Sequence, residues 1–62
     1  MQPFSIDQVW EAPFSGVFRQ LEVTATGDGG WIADLRFLDD GELATGINRG
    51  SLSEDWRLIK EA

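Results

Sequence analysis

Cysteine, histidine and tyrosine are all missing from these 62 residues, and lysine occurs once, as Lys60. Without cysteine there is no disulfide, and without cysteine or histidine there is no ordinary zinc site. The same absences exclude Ser/His/Asp and Cys/His nucleophilic arrangements. Five basic residues against eleven acids give a net charge of −6. That is the wrong sign for displacing counterions from a nucleic acid or for holding an anionic membrane. No apolar run approaches the length of a membrane span. The opening MQPFSIDQVW has no basic end followed by an apolar core, so no secretory signal is read. The lack of cysteine fits a cytoplasmic protein. The expectation is therefore no cofactor, no metal, no nucleic acid and no membrane, with a protein partner or a homo-oligomer in their place.

What is present is apolar and aromatic: 42% hydrophobic residues, with three Trp and four Phe. That suffices for one domain over 1–62 with a real core and argues against disorder. A chain this short buries only about 60% of its unfolded surface, for a stability of ~3–5 kcal/mol. With no covalent staple, packing and self-association are the remaining means of support.

Residues 31–38, WIADLRFL, alternate: Trp31, Ala33, Leu35 and Phe37 share one face, and Ile32, Asp34, Arg36 and Leu38 the other. Residues 17–26, VFRQLEVTAT, do the same, with Val17, Arg19, Leu21, Val23 and Ala25 on one side. A period of two means strands. A two-residue Asp28-Gly29 turn sets every apolar face against a polar one, since a one-residue slip inverts all side chains. A three-residue Asp28-Gly29-Gly30 loop instead sets Ala25 against Ala33, Val23 against Leu35, Leu21 against Phe37 and Glu22 against Arg36. Such loops are a type I turn followed by a left-handed residue, here Gly30. The same solution over Asp39-Asp40-Gly41 pairs Phe37 with Leu43, Leu35 with Thr45 and Ala33 with Ile47, with Gly41 left-handed. The two structural turns leave a three-strand meander over 17–48.

Upstream, Trp10, Ala12 and Phe14 form an apolar face, Pro13 places the stretch at an edge or a bend, and Gly16 marks the next turn. Downstream, SLSEDWRLIKEA supports two readings. One is a C-terminal helix over 51–61: Ser51 and Glu54 make a capping box, and Leu52, Trp56 and Ile59 share a helical face. The other is a helical turn over 51–55 followed by a strand WRLIK. On the second reading the chain is all-β: four strands, a short helical turn and a last strand. That order, with the ending SLSEDWRLI, resembles the SH3-like barrel domains found as small stand-alone bacterial and phage proteins, over about residues 8–61. The resemblance implies a five-stranded barrel and carries no functional residues. The tyrosine-rich peptide-binding signature of signalling SH3 domains is missing, as is the basic glycine-centred loop of KOW modules.

Candidate sites are few. LDDGE, residues 38–42, pairs carboxylates, but at a hairpin tip, where acids keep ordinary pKa values. It lacks the full calcium-loop pattern. GDGG lacks the Lys-Ser/Thr ending of a phosphate loop. Trp31, Phe37 and Trp56 are expected in the core, against the alternative of an aromatic cage. Arg19, on the apolar face, falls opposite Asp39 as a rim ion pair. Phe18, Ile32 and Leu38 share the polar face; they either mark a contact surface or, for Phe18, are turned inward by a bulge. With Trp10 they are the candidates for protein contact. No catalytic, cofactor or metal residue is assigned.

The leading expectation is a non-enzymatic, self-associating interaction module. One rival is an acidic phage-type inhibitor or nucleic-acid mimic that binds a basic host protein. Another is a subunit of a small oligomeric enzyme, as in the type II dihydrofolate reductases. Their Val-Gln-Ile-Tyr strand is replaced here by ATGIN.

Overall fold

The computed structural model describes residues 2–62. Five strands form one antiparallel sheet: β1 (Val9–Phe14), β2 (Val17–Gly27), β3 (Ile32–Phe37), β4 (Leu43–Asn48) and β5 (Arg57–Lys60). Their spatial order is β4-β3-β2-β1-β5. The sheet is open, with no ladder joining β4 to β5 among the described residues. Two 3₁₀ turns, at Asp28–Gly30 and Arg49–Ser51, interrupt the strands, and the described residues contain no α-helix.

One face of the sheet makes the core. Trp10, Ala12, Leu21, Val23, Ala33, Leu35 and Phe37 are buried there together with Phe4, and Phe14, Ala44, Ile47, Leu52, Trp56 and Leu58 pack around them. Phe14 lies between Phe37 and Trp56, edge-to-face at 5.0 and 5.9 Å. Aromatic edges meeting aromatic faces is the arrangement their quadrupoles prefer.

The centre of the expected register holds: Leu21 pairs with Phe37, Glu22 with Arg36 and Val23 with Leu35. Beyond Val23 it changes. Ala25 pairs with Asp34 and Thr26 with Ala33, so Ala25 does not face Ala33. Thr24 is the extra residue of a bulge, and its hydroxyl donates to the Asp34 carbonyl at 3.1 Å. The cause lies in the turn. It is not a type I turn closed by one left-handed glycine: Asp28, Gly29 and Gly30 all have positive φ, at 53, 67 and 96°. Trp31 then turns back with φ −83° and ψ −15°, outside the strand alternation. It ends up 41% exposed rather than in the core.

Gly30 is fixed by more than its φ. A Cβ there meets the Phe4 carbonyl oxygen at 2.5 Å, because the Phe4 N–H donates to the Gly30 carbonyl at 2.7 Å. Pro3 and Phe4 thus lie against the turn. Phe4 enters the core edge-to-face on Trp10 at 5.4 Å. The buried Gln8 side chain accepts from Ser5 N–H and from Trp10 Nε1.

In the next hairpin Ala33 pairs with Ile47 as expected, but Leu35 pairs with Ala44 and Arg36 with Leu43, in place of Thr45 and Phe37. The inserted residue lies at Thr45-Gly46. Gly46 has φ +66° and donates its N–H to Asp34 Oδ1 at 3.1 Å. Such a bulge needs a residue free to adopt positive φ. Leu43 therefore sits opposite Arg36 and outside, 62% exposed. Gly41 is left-handed, as the turn requires.

Phe14 and Val17 flank a two-residue Ser15-Gly16 turn with φ 52 and 80°, the primed geometry that suits twisted hairpins. Pro13 lies past the reach of β5, which pairs only with Val9, Trp10 and Glu11. At the C-terminus the helix over 51–61 does not form, and neither does the capping box. The helical turn falls at Arg49–Ser51 rather than 51–55, with Asn48 Oδ1 accepting from Gly50 N–H at 2.9 Å. Leu52 is extended, at φ −72° and ψ 139°. Extension lets Trp56 and Leu58 point inward on alternate residues, whereas the helical face needed Ile59, which is exposed.

Candidate functional site

The outer face of the sheet is where the expected contact residues fall, and it is divided. Phe18 pairs with Pro13 in the β1–β2 ladder and is 59% exposed. The bulge in β2 comes later, at Thr24, and does not turn Phe18 inward. Leu38 donates its N–H to the Gln20 carbonyl, which makes it a diagonal neighbour of Phe18 on the outer face. Leu43, opposite Arg36, extends the apolar surface on the β4 side. Ile32 stands apart. It pairs with Gly27 and Asn48 at the far end of β3, six residues and roughly 20 Å of strand from Leu38. Asp34 and Arg36 lie between them on the same face.

Trp10 does not belong to this surface. It is 4% exposed, a core residue. Its indole N–H is held by Gln8, and the Arg49 guanidinium lies 5.0 Å over its ring. Arg49 also donates to the Gln2 carbonyl at 2.7 Å. This arginine ties the start of the chain to the turn before β5, and no spacing rule in the sequence announces it.

Beside Phe18 the sheet forms a shallow groove of about 360 Å³. Glu11, Phe18, Glu54, Asp55 and Arg57 line it. The register explains the assembly: Glu11 pairs with Arg57 across β1 and β5, and Phe18 comes two pairs further along the β1–β2 ladder, on the same face. Arg57 donates to Glu11 Oε1 at 3.0 Å. Glu54 and Asp55 come from the turn that precedes β5. Of the groove residues only Phe18 was visible as a candidate, because the others converge through the β1–β5 pairing.

At the rim, Arg19 makes the expected pair. Its Nε and Nη2 donate to the two carboxylate oxygens of Asp39 at 2.9 and 2.8 Å, and Nη2 also reaches Asp40 at 3.0 Å. Its guanidinium lies 3.8 Å from the centroid of Phe37, so an apolar neighbour accommodates the charge through its ring face. The bonds from Arg19 hold the Asp39 carboxyl below the ordinary aspartate value of 3.8. Asp39 is thus an ionised acceptor at neutral pH and no proton donor. A depressed pKa stabilises the fold above the unfolded value and loses that effect as pH falls through the folded one. We expect Asp39→Asn to lower the melting temperature at pH 7, and the gap from wild type to close as pH drops below about 4. A gap independent of pH would show that the pair contributes nothing to stability.

No set of three or more acids among the described residues is placed to hold a metal ion, and no helix among them is long and apolar enough to cross a membrane. Comparison with protein-family models, with curated proteins and with solved structures gave no match.

Proposed function

We propose that this chain is a non-enzymatic protein-interaction module built on an SH3-like barrel, with the outer face around Phe18, Leu38 and Leu43 as its contact surface. The barrel reading draws on the strand order, with β4 and β5 at the two ends and a 3₁₀ turn between them. Ile47 from β4 and Leu58 from β5 pack on the same core, as a sheet curled toward closure requires.

The exposure of Phe18, Leu38 and Leu43 on one side of so small a sheet carries the functional reading. Grouped apolar side chains in water mark a surface that something covers. The module is proposed to act in the cytoplasm of a bacterial or phage-infected cell, and self-association is its homotypic form. At −6 per copy two chains repel, and salt screens that repulsion. Light scattering across protein concentration should show a dimer that strengthens with salt. Leu38→Ser with Leu43→Ser, both exposed, should abolish it while leaving the circular dichroism spectrum unchanged. A monomer at every concentration and salt removes the homotypic form.

The nucleic-acid mimic is less well supported. It needs unpaired carboxylates spaced over one face, yet Asp39, Asp40, Glu22 and Glu11 are each held by an arginine. The oligomeric-enzyme reading has no residue on this surface to support it.

A further inference from the structure

Resting on that contact surface, we infer that the groove beside Phe18 seats a cationic side chain from an extended segment of a different protein. The groove has two unlike sides. Phe18 offers an exposed ring, and Glu54 and Asp55 offer carboxylates. Glu11 is neutralised in place by Arg57, so the uncompensated charge comes from the other two acids. An arginine or lysine fits both sides at once. Its methylenes lie on the ring while the charged head reaches the carboxylates. An apolar residue two positions away in the extended partner, on the same face, then covers Leu38, the diagonal neighbour.

A second copy of this chain is a poor occupant of the groove. Four of its five cations are already engaged: Arg19 with Asp39, Arg36 with Glu22, Arg57 with Glu11, and Arg49 with the Gln2 carbonyl and the Trp10 ring. It would also bring its own Glu54 and Asp55 against the same pair. A homotypic contact therefore draws on the Leu38–Leu43 side and gains from salt, whereas a cationic segment in the groove loses from salt.

The test is an NMR titration of the ¹⁵N-labelled full chain with two capped pentapeptides, Ac-Leu-Ala-Arg-Ala-Leu-amide and its Glu counterpart. The arginine peptide should shift the amides of Glu11, Phe18, Glu54, Asp55 and Arg57. Its affinity should fall about threefold or more between low and physiological salt. Glu54→Gln with Asp55→Asn, both exposed and outside the core, should weaken it about five- to tenfold. Absence of shifts at those amides overturns the inference. Equal shifts with both peptides overturn the requirement for a cation and leave the contact surface standing. Unchanged binding by Phe18→Ser overturns the contact surface itself. Shifts at the same amides on raising protein concentration alone would assign the groove to a second copy and overturn the inference.

Discussion

Leu21→Ala is expected to leave most molecules unfolded at 25 °C. Leu21 is fully buried at the centre of the sheet, on β2 between Trp10 of β1 and Phe37 of β3. Truncating a buried leucine to alanine costs ~2–5 kcal/mol, the lost transfer energy plus the cavity left behind. A core of this size supplies only ~3–5 kcal/mol in total. The single change is therefore comparable with the whole stability. Urea titration followed by circular dichroism measures it. Leu21→Met, which conserves volume, should cost under ~1.5 kcal/mol and keep a cooperative transition. If Leu21→Ala melts within a few degrees of wild type, the core is not where the register puts it.

Phe4→Ala is the second large effect. Phe4 lies five residues before the start of β1 and belongs to no strand, yet its side chain is buried. It stacks edge-to-face on Trp10 and anchors its backbone to Gly30. Removing a buried phenylalanine ring costs ~3–5 kcal/mol. The expected result is loss of the cooperative transition together with exposure of Trp10 to quenchers. Were residues 2–7 not packed on the sheet, the substitution would change neither. Val23 N–H donates to the Gln8 carbonyl, and Asp7 N–H to the Val23 carbonyl, so the segment is also tied to the sheet through its backbone.

The middle of the sheet was readable because alternation and charge agreed there. Leu21, Val23, Leu35 and Phe37 all demanded one side, and Glu22 and Arg36 met on the other. The hairpin ends were not readable. A bulge adds one residue to one strand and leaves the apolar count of each face nearly intact, so WIADLRFL reads equally well with Trp31 inside. Only the three successive left-handed residues before it put Trp31 outside. Likewise the pairing of Phe37 with Leu43 satisfies hydrophobicity, and nothing in TG at residues 45–46 says that Gly46 will donate to Asp34. The last twelve residues carried a helical pattern and a strand pattern together; contacts with Phe14 and Trp10 decided between them. The groove was hidden for a different reason. Glu54 and Asp55 lie 36 and 37 residues from Phe18 in sequence and meet it only once β5 has found β1. Phe18 could be singled out locally; its neighbours could not.

The kink at Gly46 also bears on how this chain behaves when crowded. β4 is an outermost strand, and an outermost strand normally offers an intruder a row of evenly spaced donors and acceptors. Here the row is broken in mid-strand, with the Gly46 N–H occupied by Asp34. At the opposite border β5 is only four residues long and bears Arg57 and Lys60. Neither border is a good template for growth by strand addition, so concentrated solutions should resist conversion to fibrils, leaving side-chain surfaces to govern what the molecule meets.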